Sequence, residues 1–137
     1  MSKDELNALY QAAKQAQDKA YAPYSRFKVG AAIMDDQQRI SAGCNVENAA
    51  YPIGCCAEQA AVAHMIMSGS TSITHILIVG SDGKPCPPCG ACRQIIFEHG
   101  HPETMVYLEN GQGDGQFTAR PIKDLLPDAF DHSQLFK

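Results

Sequence analysis

Two short stretches of the chain carry residues suited to holding a metal and moving a proton. "GCCAEQAA" (54–61) sets Cys55 and Cys56 side by side and follows them with Glu58, while "PCPPCGACRQ" (85–94) holds Cys86, Cys89 and Cys92. Cys89 and Cys92 stand at i and i+3, a spacing that can share one face of a helical first turn. Both stretches lead into segments that read as helices. A cysteine from the first and the pair from the second therefore fall at helix N-termini, where free amides and partial positive charge stabilise thiolates. Zinc fits that environment.

A C-x2-C pair alone is shared by redox dithiols and structural zinc knuckles, and C-A-E alone is weak. Cys86 makes a second C-x2-C with Cys89, but the two prolines between them stiffen the loop and remove two amide donors that thiolates commonly use. No histidine is a better ligand. His64 lies eight residues beyond Cys56, about 12 Å along a helix axis, and reads as a packed or hydrogen-bonded core residue. His75, His99, His101 and His132 read as surface or turn residues.

The elements that must position these residues follow from local patterns. Ser2 and Glu5 have capping-box spacing before Leu6, Leu9, Ala13 and Ala16, which predicts a helix over roughly 3 to 20. "KVGAAIMDD" and "RISAGCNVEN" predict a hairpin turning near Gln37. "CAEQAAVAHMIMSG" is apolar all round, as a helix buried between other elements would be, and ends at Gly69. "ITHILIVGS" predicts a central strand, the segment after "PCPPC" a helix ending at Gly100, and "TMVYLEN" and "QFTAR" two strands around the turn "GQGDG". "PIKDLLPDAF" adds a short helical piece. Helices interleaved with strands predict an α/β fold, a three-layer α/β/α sandwich on a five-stranded mixed sheet.

The chain has 137 residues, which suits one domain spanning 1–137. Its net charge is −4, with no run of lysine and arginine, which counts against DNA or RNA as a partner. A small neutral or cationic ligand is expected instead. No apolar stretch approaches the roughly 20 residues that cross a bilayer, and "MSKDELNALY" has no apolar signal core, so no membrane partner and a cytoplasmic location are expected. In that setting six cysteines suggest metal ligands and buried thiols rather than disulfides, and Cys44 and Cys55 read as buried small hydrophobes.

C-x-E followed later by P-C-x-x-C matches the signature of zinc-dependent nucleobase deaminases. With "YSRFKVGAA", "GCNVENAAYPIGCCAE", "PCGACRQ" and "LLPDAF" in that order, the chain resembles the small, homotetrameric, three-cysteine cytidine deaminases over nearly its whole length. The resemblance implies zinc-dependent hydrolytic deamination of cytidine and 2'-deoxycytidine to uridine and 2'-deoxyuridine plus ammonia, a pyrimidine-salvage reaction. It implies one Zn2+ per subunit on Cys56, Cys89 and Cys92, water in the fourth position, and Glu58 as the proton carrier. It places Asn45 and Glu47 on the ribose 3'-hydroxyl, Phe27 and Ala57 against the nucleoside, and Ala49 and Tyr51 near the 5'-hydroxyl across an interface. Phe130 would enter a neighbouring subunit's active site. Taken alone, "NVE" reads as a capping or turn pair.

One position departs from the family pattern. Relatives usually carry arginine after the C-A-E glutamate, and here Gln59 stands there. Losing that cation should leave an electron-rich zinc, with Gln59 keeping the geometry around the thiolates and Arg93 supplying part of the missing charge. Two other functions fit the same residues: a zinc-stabilised nucleoside-binding protein without catalysis, and a deaminase of polynucleotides, which the acidic balance disfavours.

Overall fold

The computed structural model describes residues 1–111 and 116–136. The expected "GQGDG" turn, apart from Gly111, lies outside the described residues. Helix α1 (Lys3–Asp18) starts as expected: the Ser2 hydroxyl accepts the Glu5 amide and the Glu5 carboxylate accepts the Ser2 N–H. It stops two residues earlier than the apolar pattern suggests, as the chain turns at Lys19.

Strands β1 (Gly30–Asp35) and β2 (Ile40–Cys44) form the hairpin, with Gln38 in the left-handed region at φ 64°. Helix α2 (Ala57–Met67), strand β3 (Ile73–Val79), helix α3 (Gly90–His99), strands β4 (Met105–Glu109) and β5 (Phe117–Pro121) and the short helix α4 (Ile122–Leu125) follow. The sheet order is β2-β1-β3-β4-β5, with β3 and β4 parallel and the other neighbours antiparallel. This is the five-stranded mixed sheet expected from the sequence.

Period-2 alternation gives the sheet two apolar faces. Ala32, Met34, Leu77 and Val79 meet Leu9 and Ala13 of α1 on one side. Ala31, Ile33, Ile76, Ile78 and Val106 meet Ala61 and Met65 of α2 and Ile96 of α3 on the other. Two glycines let the layers approach. A Cβ on Gly30 would lie 2.0 Å from the Ala13 carbonyl oxygen, and one on Gly43 would lie 2.4 Å from the Ala61 amide nitrogen.

Three expectations need correction. Helix α2 is not covered all round: Met67 is 85% exposed and Ile66 also faces out, because α2 packs on the sheet and α3 by one side only. His64 is exposed rather than core, although its Nδ1 does bond the backbone of Ala42 in β2. His75, expected at the surface or in a turn, is half-buried within the predicted central strand β3, its ring tilted against Tyr107 of the neighbouring strand.

Candidate metal and active site

The chain reaches α2 through a turn of 3-10 helix at Tyr51–Ile53 and an isolated antiparallel bridge between Cys55 and Val46. That bridge fixes the entry to α2, so Cys56 becomes its N-cap in extended conformation. Cys89 is the N-cap of α3 in the same way, and Cys92 lies one turn in, fully buried. The two N-termini bring the sulfurs of Cys56, Cys89 and Cys92 within 4.8 Å of one another.

The environments of the three thiols differ. Backbone amides of Cys92 and Ala91, at the open end of α3, hold the Cys89 thiol below its ordinary range. Burial above all pushes Cys56 and Cys92 up, with the Glu58 carboxylate adding to both. Two thiols that resist ionisation beside one that favours it gain from a cation that replaces their protons. Tetrahedral zinc thiolates at about 2.3 Å from the metal stand about 3.8 Å apart, so the observed cluster fits zinc in size and in donor type.

Glu58 occupies the first turn of α2 and is 5% exposed. Burial raises its carboxyl above the usual range, opposed by its own backbone amide and by Cys92. Cys86 stays out of the three-sulfur cluster. It packs against the core, and burial, with Glu58 contributing, pushes its thiol up to about 11.

Beside the cluster lies a cleft of about 450 Å³, lined by Cys56, Cys55, Asn45, Glu47, Tyr51 and Tyr24 among others. The rings of Tyr24 and Tyr51 meet edge to face, 6.0 Å apart. Asn45 and Glu47 both face the segment preceding β1. Asn45 accepts the Val29 N–H and donates to the Phe27 carbonyl, each at 2.9 Å. Glu47 Oε1 accepts the amides of Tyr24 and Ser25 at 3.0 and 3.1 Å, and its Oε2 accepts the Ser25 hydroxyl. That hydroxyl and the amides hold the Glu47 carboxyl below the usual carboxylate range.

The remaining expected site residues are spread more widely. Ala57 is fully buried at the start of α2, and Ala49 is exposed on the turn before Tyr51. Phe27 is half-buried and packs over Gly80, where a Cβ would come 2.9 Å from the ring. Phe130 is 57% exposed and does not line the cleft of its own chain. Gln59 accepts the Cys56 N–H on Oε1, and Arg93 donates to the carbonyls of Pro88 and Leu125. Cys55 is half-buried on the cleft wall rather than buried, with its thiol donating to the Cys56 carbonyl at 3.4 Å. Cys44 is likewise half-buried.

Sequence reasoning missed Ser25, Tyr24 and Gly80. The first two sit in the same "YSRF" block that carries Phe27, which was the available signal. Gly80 had none, because its need for a missing side chain arises only when Phe27 folds over it.

A family model described as the cytidine and deoxycytidylate deaminase zinc-binding region matches residues 3–109. The cytidine deaminase of Halalkalibacterium halodurans is 43% identical over 89% of this chain and 91% of its own length. The crystal structure of cytidine deaminase from Burkholderia pseudomallei superposes with a TM-score of 0.84 at 45% identity, covering 95% of this chain and all of the other. That from Mycobacterium tuberculosis gives 0.78 at 41%, covering 90% and 95%. With the three cysteines gathered at two helix N-termini and this similarity along nearly the whole length, the chain belongs to the zinc-binding cytidine and deoxycytidylate deaminase family.

Proposed function

We propose that the protein hydrolytically deaminates cytidine and 2'-deoxycytidine to uridine and 2'-deoxyuridine, releasing ammonia, with one zinc ion held by Cys56, Cys89 and Cys92. The observation that carries this reading is the buried carboxyl of Glu58, two residues from Cys56 on the same helix start, beside three sulfurs within 4.8 Å. Bound zinc supplies a Lewis acid that brings a water's pKa towards about 7.

Glu58 takes a proton from the attacking water as the C4–O bond forms and delivers it to N3 of the pyrimidine. Glu58 then carries the proton of the new C4 hydroxyl to the amino group, and the C4–N bond breaks as C4=O forms, releasing ammonia. Burial suits Glu58 to this work, since a carboxyl that holds its proton more tightly than an exposed one can both take and return it. Phe27 and Ala57 flank the base, Asn45 and Glu47 take the sugar hydroxyl, and Gln59 and Arg93 brace the loops that carry the cysteines.

The charge of the cleft supports a nucleoside over a nucleotide. Among its lining residues Glu47 is the one carboxylate and none is a lysine or arginine, so a 5'-phosphate finds no cation on the walls that this chain supplies. The whole chain is proposed to work as one domain in a cytoplasmic homotetramer that does not bind nucleic acid. Exposed Ile53, Met67 and Phe130 offer apolar surface for such contacts, and Phe130, Ala49 and Tyr51 would serve sites shared between subunits. No helix among the described residues is long and apolar enough to cross a membrane.

Ammonia release across cytidine, 2'-deoxycytidine, cytidine 5'-monophosphate, adenosine and single-stranded DNA, with zinc measured on the same sample, tests the reading. Turnover of the two cytosine nucleosides alone, with about one zinc per chain, is expected. Stoichiometric zinc with no ammonia from either nucleoside would overturn it.

A further inference from the structure

The Glu47 carboxylate has four in-plane acceptor positions, two on each oxygen. The amides of Tyr24 and Ser25 take both positions on Oε1, at 3.0 and 3.1 Å, and the Ser25 hydroxyl takes one on Oε2. Among the described residues nothing takes the fourth acceptor position, which lies on the oxygen that Ser25 holds. The Ser25 oxygen in turn accepts the Phe27 N–H at 3.0 Å, so its own rotation is fixed from the other side.

The turn that presents Ser25 is held as well. Arg26 lies in the left-handed region at φ 58°, costly for a residue with a side chain, and its N–H closes the turn on the Ala22 carbonyl at 2.9 Å. Ser25, Asn45 and Glu47 line the same cleft.

We infer that Ser25 is a positioning residue for sugar recognition: by bonding Oε2 it aims the last acceptor position of Glu47 at a hydroxyl of the bound nucleoside. This rests on the reading of Glu47 as the sugar contact. A carboxylate pinned only through Oε1 could still turn about that oxygen and spend Oε2 on water. The Ser25 hydroxyl removes that freedom before substrate arrives, and pre-ordering of this kind raises affinity without adding a contact.

The test compares kcat/KM for cytidine and 3'-deoxycytidine in the wild type, Ser25→Ala and Glu47→Gln, both substrates being read on each sample so that any loss of folded protein cancels from the ratio. The wild type is expected to prefer cytidine by about 10- to 100-fold, the worth of a hydrogen bond to a charged group. Glu47→Gln should abolish most of that preference, and Ser25→Ala should reduce it about ten-fold, with kcat/KM for cytidine falling further than that for 3'-deoxycytidine. If Ser25→Ala lowers both substrates equally, or leaves the preference intact while Glu47→Gln removes it, Ser25 has no positioning role and the reading of Glu47 stands. If Glu47→Gln leaves the preference intact, that reading fails and the inference goes with it.

Discussion

Gln59 closes on the residue three positions before it: its Oε1 accepts the Cys56 N–H at 2.9 Å, while its own backbone N–H faces the Cys56 sulfur. This is a capping box built on a cysteine expected to hold zinc. It fixes the direction of the Cys56 side chain through the backbone. An arginine here would bring charge near the thiolates but would lose the acceptor.

Gln59→Ala should therefore lose about 1 kcal/mol of stability through the cap and weaken zinc retention about 10-fold or more. Chelator competition and thermal unfolding measure the two effects. Gln59→Arg separates geometry from charge: added positive charge should move the pH–rate profile to lower pH, and an unchanged profile with unchanged zinc retention would show that charge at this position does not matter.

Zinc binding should be proton-linked. Burial raises the Cys56 and Cys92 thiols, so a metal must displace their protons, and apparent affinity should fall as pH falls. Metal titrations at several pH values, with released protons counted, check this. Cys92→Ser should lose most of the zinc, whereas Cys86→Ser, outside the three-sulfur cluster, should keep it.

Gly80→Ala should act on substrate more than on stability. Its Cβ would press on the edge of the Phe27 ring at 2.9 Å, and a side chain can move where backbone cannot. KM for cytidine should rise about ten-fold as Phe27 is displaced, with a small change in Tm. Gly43→Ala, whose Cβ meets the backbone of α2 at 2.4 Å, should instead cost about 1–3 kcal/mol or more.

Asp35 should give stability a pH dependence on the acid side. Burial raises its carboxyl, but the amides of Arg39 and Gln37 on Oδ1, each at 2.9 Å, and the Arg39 guanidinium outweigh that and hold it below the usual range. Among the described residues its Oδ2 finds no hydrogen-bond donor, and it faces Arg39 Nε at 3.5 Å. A carboxyl depressed by folding contributes stability that is fully present above its unfolded value, about 3.9, and is lost as pH falls through the lower folded value. The stability difference between wild type and Asp35→Asn, from urea midpoints, should be largest at neutral pH and close as pH drops below about 4.

What was legible in the sequence was what local spacing controls. Cys89 and Cys92 one helical turn apart, Glu58 two residues after Cys56, and helices alternating with strands specify the metal corner and the sheet that carries it, because each depends on neighbours within a few residues. The partners of Asn45 and Glu47 lie about twenty residues away, in the turn around Ser25, and no periodicity reports them. "NVE" reads as a turn-holding pair or as a sugar contact, and the bonds that Glu47 makes among the described residues are those of the first, with one acceptor position left for the second. The outward face of α2 was illegible for another reason. Apolar composition calls for burial but does not say whether the cover comes from the same chain.

The most direct measurement is the rate of uridine formation from cytidine by Glu58→Gln against the wild type, at matched zinc content. Glutamine keeps the shape of the side chain and cannot carry the proton. The rate should fall by about 10²- to 10⁴-fold with zinc still at about one per chain. Turnover near the wild-type rate in that variant would contradict the assignment of Glu58 and the mechanism built on it.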